Sequence, residues 1–190
     1  MNEYTVHIYV AAPGTPLLLD GGTSLPGHMF YAIEHAGLKL SFGFAPIAHG
    51  QMNGPGQIYK TDANNYQKPL YLRTLEISST QHGKLKEFGD NPMRFGFSTT
   101  YQDVRNNCVD FTWAALNHAG IHARSSLSGK ALKTYEGSLK PTNNVNDIQT
   151  ILAPIPSSKL NTEKRNPMPA RNLKQWLLSD AKPPNAQARV

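Results

Sequence analysis

The chain has a single cysteine, Cys108, among 190 residues. An internal disulfide and a cysteine-rich zinc site are thereby excluded. Long apolar runs are also missing, and none approaches the roughly 20 residues that a membrane-spanning helix needs. Charged residues make up only 17% of the chain and aromatics 9%. The basic residues do not interleave with aromatics, which argues against a stacking platform for single-stranded nucleic acid. There is no HExxH, no His pair at metal spacing, no P-loop, no Rossmann fingerprint and no GxSxG elbow. No cofactor, metal, nucleic-acid partner or membrane span is expected. The opening segment MNEYTVHIYVAAPGTP carries Glu3 and lacks a basic stretch, so it reads as a strand rather than a secretory leader.

What is present suits one globular core of ordinary size. The formal charge is +6, and its densest basic cluster lies late, at 159–174, where it reads as a solvated face. YTVHIYVA (4–11) alternates and is β-branched and aromatic, so it predicts a strand. HMFYAIEHAGLKLSFGF (28–44) predicts two strands around a turn at His35-Ala36-Gly37. Residues 45–68 look like loop, and 69–78 like another strand. A Ser/Thr cap opens a short helix over 79–92. Val109, Trp113 and Leu116 recur near helical spacing, and Gly120 follows as a stop signal, so a helix is expected from Cys108 to Ala119. From about residue 124 Ser, Asn, Pro and Lys dominate. The expected organisation is a core over 1–123, an extension over 124–180 docked on it, and a disordered tail over 181–190. Two short helices should carry the docking, with apolar faces at Ile148, Ile151 and Leu152 and at Leu173, Trp176 and Leu177.

Cys108 stands at the mouth of its helix, in RNNCVDFTWAALNHAG. A helix N-terminus favours a thiolate, and a nearby histidine completes a nucleophile. His28 is a candidate, because it follows Gly27 directly and opens an apolar strand. Asn106 and Asn107 read as helix caps that could also help an oxyanion, whose main donor would be the Cys108 backbone N–H. Asp110 reads as a first-turn charge that complements the helix dipole.

Two stretches carry a family resemblance. GHMFYAIEHAGLKLSF resembles the His strand and hairpin of NlpC-type cysteine peptidases, and NNCVDFTWAALNHAG resembles the Cys helix of their circularly permuted relatives. His28 precedes Cys108 by 80 residues, which is the permuted order. With SFGFAP, NNVNDIQTI and LNTEKRNPMPARNLKQWLL, the chain also resembles cysteine-hydrolase-like toxin domains of type VI secretion effectors. The resemblance implies an α+β, papain-like fold: an antiparallel sheet packed on a Cys-bearing helix, with a C-terminal extension. It implies a cysteine peptidase or amidase, with Cys108 as nucleophile and His28 as general base and acid. The family's third polar residue orients the His, and counting across the hairpin from His28 places Ser41 there. The usual occupant is His, Asn, Asp or Glu, so Ser departs from that pattern. Asp20 and His49 compete with it; Glu34 shares the strand face of His28, but six residues along it lies about 20 Å away. The implied substrate is an amide of bacterial peptidoglycan. The implied setting is an antibacterial effector handed to a type VI delivery component, released into the periplasm of a target bacterium and blocked by a cognate immunity protein. Two other readings use the same fold: a non-catalytic binding module, and an acyltransferase or deamidase acting on a target-cell protein or lipid.

Overall fold

A computed structural model describes residues 3–48 and 50–178. Among them the chain forms a mixed α+β fold with a seven-stranded antiparallel sheet and five α-helices. The strands are β1 (Tyr4–Ala11), β2 (His28–His35), β3 (Leu38–Pro46), β4 (Asn53–Tyr59), β5 (Tyr71–Ile77), β6 (Thr100–Gln102) and β7 (Thr162–Arg165), in the order β6-β4-β3-β2-β1-β5-β7. The helices are α1 (Asp62–Asn65), α2 (Ser79–Asp90), α3 (Cys108–His118), α4 (Val145–Gln149) and α5 (Leu173–Leu178). No described helix is long and apolar enough to cross a membrane.

The sheet centre follows from the alternation read in the sequence. β1 pairs with β2 from Tyr4↔His35 to Ala11↔His28, and β2 turns into β3 through Ala36 and Gly37, both at positive φ. A two-residue turn of that kind matches the right-handed twist of the strands it joins. On one face Val6, Ile8, Val10, Met29, Tyr31, Ile33, Phe42 and Phe44 meet Leu85 and Phe88 of α2 and Val109, Phe111 and Leu116 of α3. Tyr9, Phe30 and Ala32 form a smaller cluster on the other face, against Ala63 of α1 and Tyr66. Both faces of β2 are therefore covered, and six successive residues from His28 are buried.

Residues 45–68 differ from the expected loop. They supply β4, which pairs with β3 and β6, and the one-turn helix α1. Helix α2 starts at a Ser78/Gln81 capping box. Helix α3 starts at an Asn107/Asp110 capping box and ends before Gly120, whose φ is 75°. Asn106 is not part of this cap: its amide donates to the Ser98 and Thr100 carbonyls.

Beyond residue 124 the chain is laid on the same core. Val145, Ile148 and Ile151 enter it, whereas Leu152, expected on the same face, is 62% exposed. The Arg73 guanidinium, from β5, donates to the Ile148 and Ile151 carbonyls and so ties α4 to the sheet. Asn144 is fully buried; it accepts from Trp113 Nε1 at 3.0 Å and donates to the carbonyls of Ser138 and Lys140. β7 adds a strand beside β5. Helix α5 reverses the expected face. Leu173 and Leu177 are 76% and 74% exposed, Trp176 is half-buried under the Arg171 guanidinium, and Gln175 is the residue turned inward. The surface beneath α5 is backbone and hydroxyl, which a carboxamide can bond and a leucine cannot. Residues 179–180, and the tail expected to be disordered at 181–190, lie outside the described residues.

Candidate active site

Three side chains from three elements meet at one end of the sheet. His28 opens β2, Cys108 opens α3 and Asp62 opens α1. All are buried, at 4%, 6% and 4% exposure. His28 Nε2 lies 2.8 Å from Asp62 Oδ2, and the Cys108 thiol is close enough to raise the pKa of the same ring. With Nε2 committed to the carboxylate, Nδ1 is the nitrogen left for the thiol.

Local structure explains the meeting. The Thr112 hydroxyl, one turn into α3, lies 2.9 Å from the Cys108 carbonyl and 3.2 Å from that of Met29. It pins the first turn of the helix to the residue after His28. Asn107 Oδ1 accepts from the amides of Val109 and Asp110, so the capping box leaves the Cys108 N–H at the helix head outside it. The Asn107 side-chain amide is spent on the Asp103 carbonyl, and that of Asn106 on the loop before β6. Neither therefore serves an oxyanion; the Cys108 N–H, at the positive end of α3, is the donor in position for one. Asp110 completes the capping box through the Asn107 N–H, and burial, reinforced by Glu136, holds its carboxyl above the usual range against the pull of its backbone hydrogen bonds.

The place expected for Ser41 is held by Asp62. The β2–β3 register sets Ser41 opposite Ala32, four residues from His28 and about 13 Å along the strand. Its hydroxyl accepts from the Ala63 N–H at 3.1 Å, so Ser41 fixes α1, the helix that bears Asp62. Asp20 accepts from the Asn65 amide, and Glu34 is engaged by His7 and Lys39 at the other end of β2. His49 lies outside the described residues. The signal that sequence reading passed over is Gly43, in SFGFAP. A Cβ there would fall 1.7 Å from Asp62 Oδ2 and 2.8 Å from His28 Nε2. The bare backbone of β3 is the floor on which the carboxylate reaches the imidazole.

Burial alone would push the His28 pKa down. The neighbouring Tyr66 and Asp62 oxygens, with the hydrogen bond to Asp62 and the Cys108 thiol, reverse this and hold it well above its ordinary value. The Tyr66 ring stacks on His28 with centroids 5.0 Å apart. Its own phenol is pushed up by burial, then by Asp62 and Cys108, against the opposing pull of His28. Tyr101 of β6 is raised by burial and then by Cys108. Among the described residues no group of three or more His, Cys, Asp or Glu could hold a metal ion. Such an array can deprotonate a thiol, hold the resulting imidazolium against a carboxylate, and stabilise a negative oxygen at the helix head.

Gly43→Ala provides a test of this geometry. The new methyl displaces Asp62, so the His28 titration should fall from its raised position toward the ordinary 6.5, with the sheet intact. Imidazole NMR resonances followed against pH measure this, and an unmoved midpoint would show that Asp62 is not what holds the charge.

No protein family, curated protein or solved structure matches the chain.

Proposed function

We propose that the protein is a cysteine hydrolase of the papain-like, circularly permuted NlpC type that cleaves an amide bond. The observation that carries this reading is the buried His28, bonded to the Asp62 carboxylate and with its pKa raised further by the Cys108 thiol. Cys108 gives its proton to His28 and attacks the carbonyl carbon, and the carbonyl oxygen becomes an oxyanion facing the Cys108 N–H. The tetrahedral intermediate collapses, the C–N bond breaks, and His28 returns the proton to the leaving amine. Water, deprotonated by His28, then attacks the thioester and frees the carboxylate product and the thiol. Asp62 keeps the imidazole oriented throughout and offsets its positive charge.

The substrate class rests on the resemblance: an amide of bacterial peptidoglycan, met in the periplasm of a target cell. The same resemblance supports a type VI antibacterial effector and a cognate immunity protein that blocks the site. An ionisable carboxylate at the orienting position favours catalysis over a binding module. Incubation with purified peptidoglycan should release fragments whose masses identify one cleaved amide. Peptidoglycan left intact by a protein whose Cys108 is demonstrably free and reactive would refute this substrate and point to transfer or deamidation on a target-cell protein or lipid.

A further inference from the structure

The loop between β1 and β2 pairs with the chain that carries Tyr66, the ring stacked on His28. This loop, residues 12–27, folds on itself through Gly14 N–H to the Ser24 carbonyl and Leu17 N–H to the Gly22 carbonyl. It then pairs with the chain around Tyr66: Leu18 N–H donates to the Asn65 carbonyl, and Gln67 N–H to that of Pro16. Leu17 thereby pairs with Tyr66, the half-buried ring stacked on His28. The position of this loop therefore sets the position of Tyr66.

The C-terminal segment lies across the loop. A Cβ on Gly14 would fall 2.4 Å from the Ala170 carbonyl oxygen, so the two backbones touch. Gln175 Nε2 donates to Thr23 Oγ1 at 2.8 Å and to the Ser24 carbonyl at 3.0 Å. The same carboxamide accepts from the Asn172 N–H through Oε1, while Asn172 Oδ1 accepts from the Gln175 N–H. One side chain thus caps α5 and ties it to the loop. A six-residue helix does not persist alone in water. Leu173 and Leu177 face outward, and Trp176 is only half-buried. Cap and tether therefore share one side chain.

We propose that α5 is a latch: Gln175 fastens the 12–27 loop in the position that seats Tyr66 against His28 and closes the approach to Cys108, and release of α5 opens it. The latch rests on the Cys108–His28 pair being the reactive centre. It regulates that centre from the far end of the chain.

Because Cys108 is the sole cysteine, alkylation by iodoacetamide reads the approach to it directly. Gln175→Glu keeps an oxygen for the Asn172 N–H and loses the donor to Thr23 and Ser24. It should raise the alkylation rate about tenfold, the equivalent of about 1.4 kcal/mol from two net hydrogen bonds. Thr23→Val removes one exposed acceptor and should raise the rate a few-fold with the melting temperature unchanged. Asn166→Ala loosens the same segment where it bonds the Pro69 carbonyl, away from the loop, and should leave the rate alone. Hydrogen exchange should quicken at 12–27 and 170–178 in the first two variants only. Unchanged alkylation in both Gln175→Glu and Thr23→Val overturns the latch, as does an equal rise in Asn166→Ala. Alkylation counts encounters with the thiol and not turnover. A protein inert on peptidoglycan but gated in alkylation loses the hydrolase reading and keeps the latch.

Discussion

Cys108→Ala and His28→Ala should each remove turnover, by about 10⁶-fold, and the double variant should be no worse than either alone. The reason is that the two groups act as a unit. Without the imidazole the thiol keeps its proton, and without the sulfur the imidazole has nothing to activate. Asp62→Ala should cost less, about 10²–10⁴-fold, because the base remains and loses only its orientation and its counter-charge. Initial rates on the cleaved amide measure all four variants, with circular dichroism to confirm that the sheet persists. A His28→Ala protein with near-normal turnover would defeat the mechanism. Among the described residues His7, for instance, is no substitute: on β1 it is bonded to Glu34 of β2 and Thr74 of β5, and burial, with Lys39, lowers its pKa to about 4 against the opposing pull of Glu34.

The largest effect on stability is expected at Asn144. Its amide partners Trp113 Nε1, the Ser138 N–H and the carbonyls of Ser138 and Lys140, all at a fully buried position. Asn144→Ala leaves these groups without a partner and without water. It should cost about 3–5 kcal/mol. The neighbouring Asn143 is exposed, and Asn143→Ala should stay within about 0.5 kcal/mol. Urea unfolding followed by Trp fluorescence and by far-ultraviolet dichroism tests this. The two probes should give one coincident transition, because 138–151 and the sheet share a core. Asn144→Ala with an unchanged midpoint would mean that residues beyond 124 contribute nothing to the cooperative unit.

Particular residues show how far the sequence could be read. β1, the β2–β3 hairpin and α3 were legible because their apolar periods agree with their caps and turns. β4 was hidden because Asn53-Gly54-Pro55-Gly56 resembles a turn, and pairing with β3 and β6 overrides that local preference. β7 was hidden because Thr-Glu-Lys-Arg has no buried face and therefore no alternation. Cys108 and His28 were legible as a pair, one from its place at a helix start and the other from its place at a strand start. Asp62 was not. Sequence spacing says nothing about which short helix will cross a strand, and the hairpin count assumed that the third group sits beside His28 on β3. Gly43 was the available clue: a residue without a side chain, among buried aromatics, marks a place where something else must lie against the backbone. For the extension, periodicity found α4 correctly through Ile148 and Ile151. It misjudged α5, where hydrogen bonding and not apolar burial decides which side faces in.

The two rims of the sheet have a consequence for colloidal behaviour. One ends in β6, three residues long, and the other in β7, four residues, all exposed and three of them charged. An open rim with unpaired N–H and C=O groups invites strands from other molecules, and short charged edges discourage it. Deleting 162–165 would bare Tyr71-Leu72-Arg73-Thr74 of β5, a template of the same length but more apolar. The small strand that bears least on the chemistry should therefore be the one whose loss makes the chain most prone to edge-to-edge association.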